Sequence, residues 1–345
     1  MADKSIRVGI IGAGDNTRKK HIPGLQAIPG VEIVSVCNRT LESSQRVADA
    51  FGIPQVYAHW WELVDADDID AIVIGTWPYM HERMTVRALN AGKHVMCEAR
   101  MARNLAEARS MWAAAQANPQ LVAQIVPSPM TLGVDKTIQR LLAEGYLGDV
   151  LVIEVRAGNS FSDPDAPLHW RQDYDLSGLN IMSMGIWYEA LMRWVGEAAE
   201  VTAMGTVFTR MRRDAAGRLR PVRVPEHIDV VGSMICGAQM RLTISSVTGL
   251  AGPDTVTLYG SEGTLRFSGG TLYGGQRGDD ALQPLPIRPE EAGSWRVEDE
   301  FINAIRGQEE ITHTDFETGV KYMAFTEAVT RSMVERRVVP VSELL

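Results

Sequence analysis

The sequence predicts an α/β doubly wound parallel sheet followed by an α+β region with an open, mainly antiparallel sheet. Three observations carry this. Over about the first 127 residues, short continuously apolar runs alternate with helical patterns, as strands buried on both faces of a parallel sheet do. A glycine-rich turn, Gly12-Ala13-Gly14, follows the first of those runs, the context in which such a turn cradles a dinucleotide. Past Pro127 and Pro129 the texture changes to alternating, β-rich runs, which read as an antiparallel sheet.

In the first region, Ile6–Ile11 is the opening strand. A helix is expected from about Arg18 to Ile28, softened by Pro23 and Gly24. Val31–Cys37 is a second strand, and Leu41–Phe51 a helix closed by Gly52-Ile53-Pro54. Gln55–Tyr57 is a short strand, Trp60–Ala66 a helical turn, and Ala71–Ile74 a fourth strand. Met80–Ala91 is a helix closed by Gly92, and His94–Cys97 a fifth strand. Leu105–Ala117 and Leu121–Ile125 complete the alternation. The predicted first domain is therefore residues 1–127.

The second domain is expected to span 128–345, with a C-terminal helix able to pack back on the first. Asp135–Glu144 is helical and Val150–Arg156 a strand. A polar, aromatic loop runs from Gly158 to Leu179, and a helix from about Ile181 to Val195. Strands follow at Glu200–Phe208, Asp229–Ile235, Gln239–Ser246, Thr255–Tyr259 and Gly263–Phe267. Gly269–Arg288 reads as surface turns. Trp295–Arg306 and Asp315–Glu335 are helices, and Val338–Val341 a last short strand.

Bulk properties exclude several classes of function. The net charge of -9 argues against a general nucleic-acid or anionic-membrane binder. No stretch approaches the roughly 20 apolar residues that span a bilayer, and the first strand begins too early for a leader, so a cytoplasmic protein is expected. Cys37, Cys97 and Cys236 are isolated. They show neither metal-ligand spacing nor a disulfide framework, and no metal site is expected. Cys97 stands beside Glu98, which leaves a reactive thiol there as an alternative to a buried one.

Gly12 makes the tight turn and Gly14 lets the backbone approach a pyrophosphate, with the following helix N-terminus facing that anion. Asn16 and Thr17 complete this candidate cofactor segment; Thr17 stands where the fingerprint has its third glycine. An ordinary βα turn without ligand is the alternative. Cofactor choice rests on the end of the second strand. A carboxylate there would bind ribose hydroxyls and repel a 2′-phosphate. This chain has Asn38-Arg39 instead. Asn38 removes the repulsion and Arg39 can pair with the phosphate or stack on adenine. NADP(H) is favoured, with NAD(H) as the alternative.

The string Ala91-Gly92-Lys93-His94-Val95-Met96-Cys97-Glu98-Ala99-Arg100-Met101-Ala102 resembles a hallmark of the glucose–fructose oxidoreductase/inositol dehydrogenase (Gfo/Idh/MocA) family. The N-terminal turn with His21, the Gly75-Thr76-Trp77-Pro78 loop leading to His81, and Gly185 through Trp194 agree with it, in order and spacing. The resemblance implies a Rossmann domain, then an α+β domain whose open sheet pairs subunits into a homodimer or homotetramer. It also implies a nicotinamide cofactor and a sugar, cyclitol or related small-molecule substrate. It carries the pyrophosphate to Gly12 and Gly14, and the nicotinamide ribose to Thr76, Trp77 and Pro78. His81 lies a helical turn beyond, and Glu98 hydrogen-bonds the cofactor.

The chain departs from the family where chemistry is expected. The usual Glu-Lys-Pro reads Glu98-Ala99-Arg100, and the usual aspartate and histidine are Ser183 and Trp187. Lysine, aspartate and histidine are thus all replaced. A positioned base contributes roughly 100- to 10,000-fold, so an unchanged polyol-dehydrogenase relay is not expected. Replacement candidates are Tyr174, Tyr188 and His81, with His169 as an alternative. Arg100, Arg171, Asp173, Ser183 and Trp187 are candidate substrate contacts, with Trp187 as a pocket wall. Three readings follow: an oxidoreductase with a non-standard relay, a lyase, hydratase or glycoside-cleaving enzyme that retains its nicotinamide, and a non-catalytic cofactor-binding protein.

Overall fold

The computed structural model describes residues 5–345. It divides into two compact units: Met1–Pro127 with Arg296–Val320, and Ser128–Trp295 with Lys321–Leu345.

In the first unit, β1 (Ile6–Ile11), β2 (Val31–Cys37), β3 (Gln55–Val56), β4 (Ala71–Ile74), β5 (His94–Cys97) and β6 (Ala123–Ile125) form one six-stranded sheet in the order β3-β2-β1-β4-β5-β6. Every pairing is parallel. All four residues of β4 are buried, as a central strand covered on both faces requires. The strand order reverses between β1 and β4, and that switch point is where open α/β sheets hold ligands, at the carboxyl ends of the strands. Gly12 and Gly75 directly follow those two strands.

The connecting helices are α1 (Ile22–Ala27), α2 (Leu41–Phe51), α3 (Trp60–Val64), α4 (Pro78–Asn90) and α5 (Leu105–Ala117). A π turn, Thr17–His21, leads into α1, and the helical run starts at Asp15, three residues before the expected Arg18. The side chains of Thr40 and Asn104 cap α2 and α5, accepting from the backbone N–H of Ser43 and Glu107. Pro78 opens α4, where a missing N–H leaves no intrahelical bond unmade.

Residues 296–320 belong with this first unit, so the expected second domain is not one unbroken block from 128 to 345. The reason is specific bonding. Ile125 N–H donates to Thr314 O at 3.0 Å, Gln124 Nε2 to Glu300 at 2.9 Å, and Arg306 to Pro29 O at 2.5 Å. The helix Val297–Ile305 also carries Glu298 to a buried histidine described below.

The second unit holds α6 (Asp135–Ala143), β7 (Val150–Ala157), α7 (Tyr174–Ser177), α8 (Met184–Val195) and β8 (Ala198–Thr206). The hairpin of β9 (Met211–Arg213) and β10 (Leu219–Pro221) follows. Then come β11 (His227–Met234), β12 (Gln239–Ser245), β13 (Thr255–Gly260), β14 (Gly263–Ser268), β15 (Thr271–Gln276), β16 (Gln283–Pro284) and, after a long helix Phe316–Glu335, β17 (Val339–Pro340). Nine of these strands form a sheet ordered β16-β15-β14-β13-β7-β12-β11-β8-β17. All its pairings are antiparallel except β7 with β12.

One expectation fails here, and one pairing goes unforeseen. Gly269–Arg288 is not only turns, because it contains β15 and β16. The glycines that looked like turn signals serve packing instead: a Cβ on Gly274 would lie 2.6 Å from Leu285 Cδ1. Alternate Leu272 is buried on the core face. The β9–β10 hairpin falls in a stretch where the sequence names no strand, since its arginines and prolines mask a three-residue pairing.

No helix of the described residues is long and apolar enough to cross a membrane. Cys37 and Cys97 are buried and Cys236 exposed. Burial pushes the Cys37 thiol up to about 11 and raises Cys97 further. Cys97 is therefore an inert core thiol, not a nucleophile.

Candidate functional site

At the switch point of the first unit lies a cleft of about 860 Å³, lined among others by Gly12, Gly14, Arg39, Thr40, Thr76 and Trp77. Gly12 has φ +85, and a Cβ there would sit 2.6 Å from Thr76 Cγ2. Only glycine fits that turn. Gly14 differs: its added Cβ would meet only Gly75 O, at 3.5 Å. The protein's own packing does not demand a glycine at 14. The open space above it is what a pyrophosphate needs in order to approach the backbone. By this measure a dinucleotide fits the cleft.

The other proposed cofactor residues divide. Thr17 is buried and its hydroxyl donates to Gly12 O at 3.3 Å. It braces the turn from behind and does not line the cleft. Asn38 accepts from Ala13 N–H at 2.7 Å and donates to Ser43 O at 3.0 Å. Both ends of its amide therefore hold the glycine turn to the start of α2. Arg39 is exposed, lines the cleft and makes no ion pair among the described residues. Arg18, Lys19 and Arg46 line it too, but are paired to Asp15, Asp15 and Glu42 respectively. Trp77 lines the cleft, while Pro78 is buried at the head of α4.

Beside the turn stands a group that sequence reasoning did not assemble. His21 is fully buried. Its Nδ1 lies 2.5 Å from Glu298 Oε1 and its Nε2 3.0 Å from Glu98 Oε1. Burial alone would lower the imidazole pKa; Glu298 and Glu98 outweigh it and raise it to about 9. The ring is thus a cation between two carboxylates near neutral pH. Burial would raise the Glu98 carboxyl, but His21 and then Asn16 hold it below its ordinary value. Asn16 donates its side-chain N–H to Glu98, so it tethers that carboxylate and does not line the cleft. His21 was visible as a motif residue. Glu298 is 277 residues away, and no local pattern marks it.

His81 is a correction. It is fully buried, with Nδ1 3.0 Å from Arg100 O and 3.1 Å from Met101 O, and Nε2 3.0 Å from Thr76 O. Burial, only partly offset by these carbonyls, lowers its pKa. A neutral ring held by main chain braces the Thr76 loop to the segment after β5, and it is not a proton shuttle or a cleft residue. Arg100, expected to meet substrate, is 1% exposed and follows a cis Ala99–Arg100 bond.

In the second unit, Tyr188 is likewise a core residue. It is buried, stacks on Phe325 at 3.6 Å between centroids, and its hydroxyl accepts from Ala198 N–H at 2.8 Å. Burial raises its phenol well above the ordinary value, which removes it as an acid–base candidate. Trp187 is 2% exposed and packs in the core instead of walling a cavity. Asp173 caps α7, accepting from Asp175 N–H at 3.0 Å, and so is held by the backbone. Tyr174, the first residue of α7, is 41% exposed. Arg171 and Ser183 do meet: both line a cavity of about 360 Å³ together with His169.

Residues 6–125 match the oxidoreductase family with NAD-binding Rossmann fold (GFO/IDH/MocA), and residues 136–266 match the GFO/IDH/MocA C-terminal domain. A trans-1,2-dihydrobenzene-1,2-diol dehydrogenase of Oryctolagus cuniculus is 30% identical over 184 residues, covering 53% of this chain and about half, 53%, of that protein. A dTDP-3,4-didehydro-2,6-dideoxy-alpha-D-glucose 3-reductase of Streptomyces antibioticus is 27% identical over 77% of this chain and 76% of its own. The fold of a levoglucosan dehydrogenase superposes with TM-score 0.87, at 20% identity, over 98% of both chains. With both halves matched in order, the chain belongs to the GFO/IDH/MocA family of NAD-binding oxidoreductases.

Proposed function

We propose that the chain is an NADP(H)-dependent oxidoreductase acting on a small hydroxyl or carbonyl compound, sugar-derived or a related ring alcohol. The observation that carries the cofactor choice is the end of β2. No carboxylate stands there to repel a 2′-phosphate, Asn38 is engaged with the glycine turn, and Arg39 is an exposed cation at the cleft. Gly12 and Gly14 would hold the pyrophosphate, Thr76 and Trp77 the nicotinamide end, and Arg39 with Thr40 the adenosine phosphate. When bound, the nicotinamide supplies hydride transfer.

The substrate class draws on relatives named for a dihydrodiol and for a dTDP-sugar. Removal of His81 and Tyr188 leaves Tyr174 as the exposed phenol among the proposed proton carriers. The same replacements favour a second reading, a cofactor-binding protein without turnover. Ala99 and Trp187 carry no acid–base group, and Ser183 only a weak hydroxyl.

The test is titration of the nucleotide-stripped protein with NADPH and NADH, read by energy transfer from tryptophan, alongside Arg39→Ala. NADPH should bind at least about tenfold tighter than NADH, and the variant should remove that preference. Equal affinities in the wild-type protein overturn the cofactor assignment. NADPH binding without turnover on any alcohol or ketone favours the second reading.

A further inference from the structure

One face of the nine-stranded sheet is core: Ile153, Val155, Leu242, Ile244, Val256 and Leu258 are all buried. Alternation along a strand sends their neighbours to the other face. Those neighbours are charged and hydroxylated, and they line a cavity of about 370 Å³ over β7, β12, β13 and β14. The cavity lies wholly within the second unit.

Strand register sets its layout. Arg241 on β12 stands opposite Glu154 on β7, Glu154 opposite Thr257 on β13, and Thr257 opposite Arg266 on β14. The two arginines are three strand spacings apart, about 14 Å at about 4.8 Å each. Arg156 is two residues along β7 from Glu154, between Thr243 and Thr255. Arginines from three strands thus share one hollow.

Their donors are not used up by the protein. None of the three makes an ion pair among the described residues. Arg156 donates from Nη2 to Pro253 O at 2.7 Å, but its Nη1 is buried and has no hydrogen-bond partner. An unmet buried donor of this kind is costly. Arg266 donates only from Nε, to Thr257 Oγ1 at 3.3 Å. Arg241 is exposed. The hydroxyls beside them are engaged: Thr255 and Ser268 bond each other at 3.0 Å, and Thr243 donates to Asp229 at 2.6 Å. Asp229 also holds His227, at 3.1 Å. Glu154 is the one carboxylate in the lining. Its Oε2 accepts from the Tyr259 hydroxyl at 3.3 Å, and its Oε1 has no partner among the described residues.

Three guanidinium groups against one carboxylate leave an excess of two positive charges, in a chain whose net charge is -9. A phosphate monoester is close to a dianion at neutral pH, and its oxygens match guanidinium forks. Glu154 repels a second anionic group but accepts from a hydroxyl. An apolar ligand would leave the buried Arg156 donor unmet.

We propose that this polar sheet face is a binding site for a phosphorylated polyol, with Arg156, Arg241 and Arg266 on the phosphate and Glu154 on a hydroxyl. It uses no residue of the cofactor cleft and does not depend on the oxidoreductase reading.

The experiment is calorimetric titration of the full-length protein, in phosphate-free buffer, with glucose 6-phosphate, inorganic phosphate and glucose. Glucose 6-phosphate should bind at least about tenfold tighter than inorganic phosphate, and glucose more weakly than either. Arg156→Gln and Arg241→Gln should each cut affinity for the ester about tenfold. Arg241 is exposed, so its variant keeps the test valid if Arg156→Gln fails to fold. Glu154→Ala should shrink the advantage of the ester over inorganic phosphate to within about threefold. Arg39→Ala, which empties the cofactor cleft of its unpaired cation, should leave ester affinity within about twofold. No binding of the ester, equal binding of inorganic phosphate, an unaltered affinity in Arg241→Gln, or a tenfold loss in Arg39→Ala each overturns the proposal. Sedimentation at the same concentrations covers another occupant. A dimer that Arg241→Glu splits, with no ester bound by the wild-type protein, assigns the face to a second copy and overturns the proposal.

Discussion

Replacing His21 by leucine removes a buried cation from between two carboxylates. The imidazole is fully enclosed, with Glu298 at 2.5 Å and Glu98 at 3.0 Å. Its pKa is raised from 6.5 to about 9. At about 1.4 kcal/mol per pKa unit, that shift corresponds to roughly 3 kcal/mol of stability. The pKa is raised on folding, so the contribution is fully present below about pH 6.5 and is lost as pH rises through about 9. The variant should therefore lose about 3–5 kcal/mol at pH 6, because the buried Glu298 and the half-buried Glu98 lose the cation they share. Its stability should then improve with acid, which neutralises them. The double variant His21→Leu with Glu298→Gln should recover part of the loss. Calorimetric and urea unfolding at pH 6.0, 7.5 and 9.0 measure all of this. A variant within about 1 kcal/mol of wild type at pH 6, or a wild-type stability that stays flat between pH 6.5 and 9, would refute the buried cation.

Gly14→Ala should fold with stability within about 0.5 kcal/mol of wild type, since its Cβ meets nothing closer than 3.5 Å. Its NADPH affinity should nonetheless fall at least about tenfold, and unchanged affinity would mean that no pyrophosphate lies over the turn. Tyr188→Phe should cost about 1 kcal/mol through the lost bond to Ala198 N–H, with kcat unaltered. A large fall in kcat at preserved stability would restore Tyr188 as a proton carrier.

What the sequence makes legible follows the range of the interactions. The apolar runs of β1, β4 and β5 are almost wholly buried, so hydrophobicity alone marks them, and Leu105–Ala117 matches residue for residue. The glycine turn is legible because its geometry is set within three residues. Side-chain destinations are another matter. Ser183 and Trp187 are one helical turn apart, yet one lines a cavity and the other sits in the core. Composition does not say which neighbour covers a helix face. Tyr188 failed for the same reason: its partners Ala198 and Phe325 come from elsewhere in the chain. His81 looked titratable, and only the carbonyls of Thr76, Arg100 and Met101 reveal its bracing role. Strand β15 was hidden because glycine marks both turns and tight packing, and only the neighbouring Leu285 distinguishes them.

The return of residues 296–320 to the first unit has a consequence for how the protein is made. A ribosome delivers Pro127 long before Glu298, Thr314 and Asp315 exist. Until they arrive, His21 has one carboxylate in place of two, and β6 lacks the strand-like partner that bonds Ile125. The nucleotide-binding unit is begun first and finished almost last, after the whole antiparallel sheet has left the exit tunnel. Cutting the gene at the apparent boundary would therefore yield a half-built fold and not a detachable cofactor module.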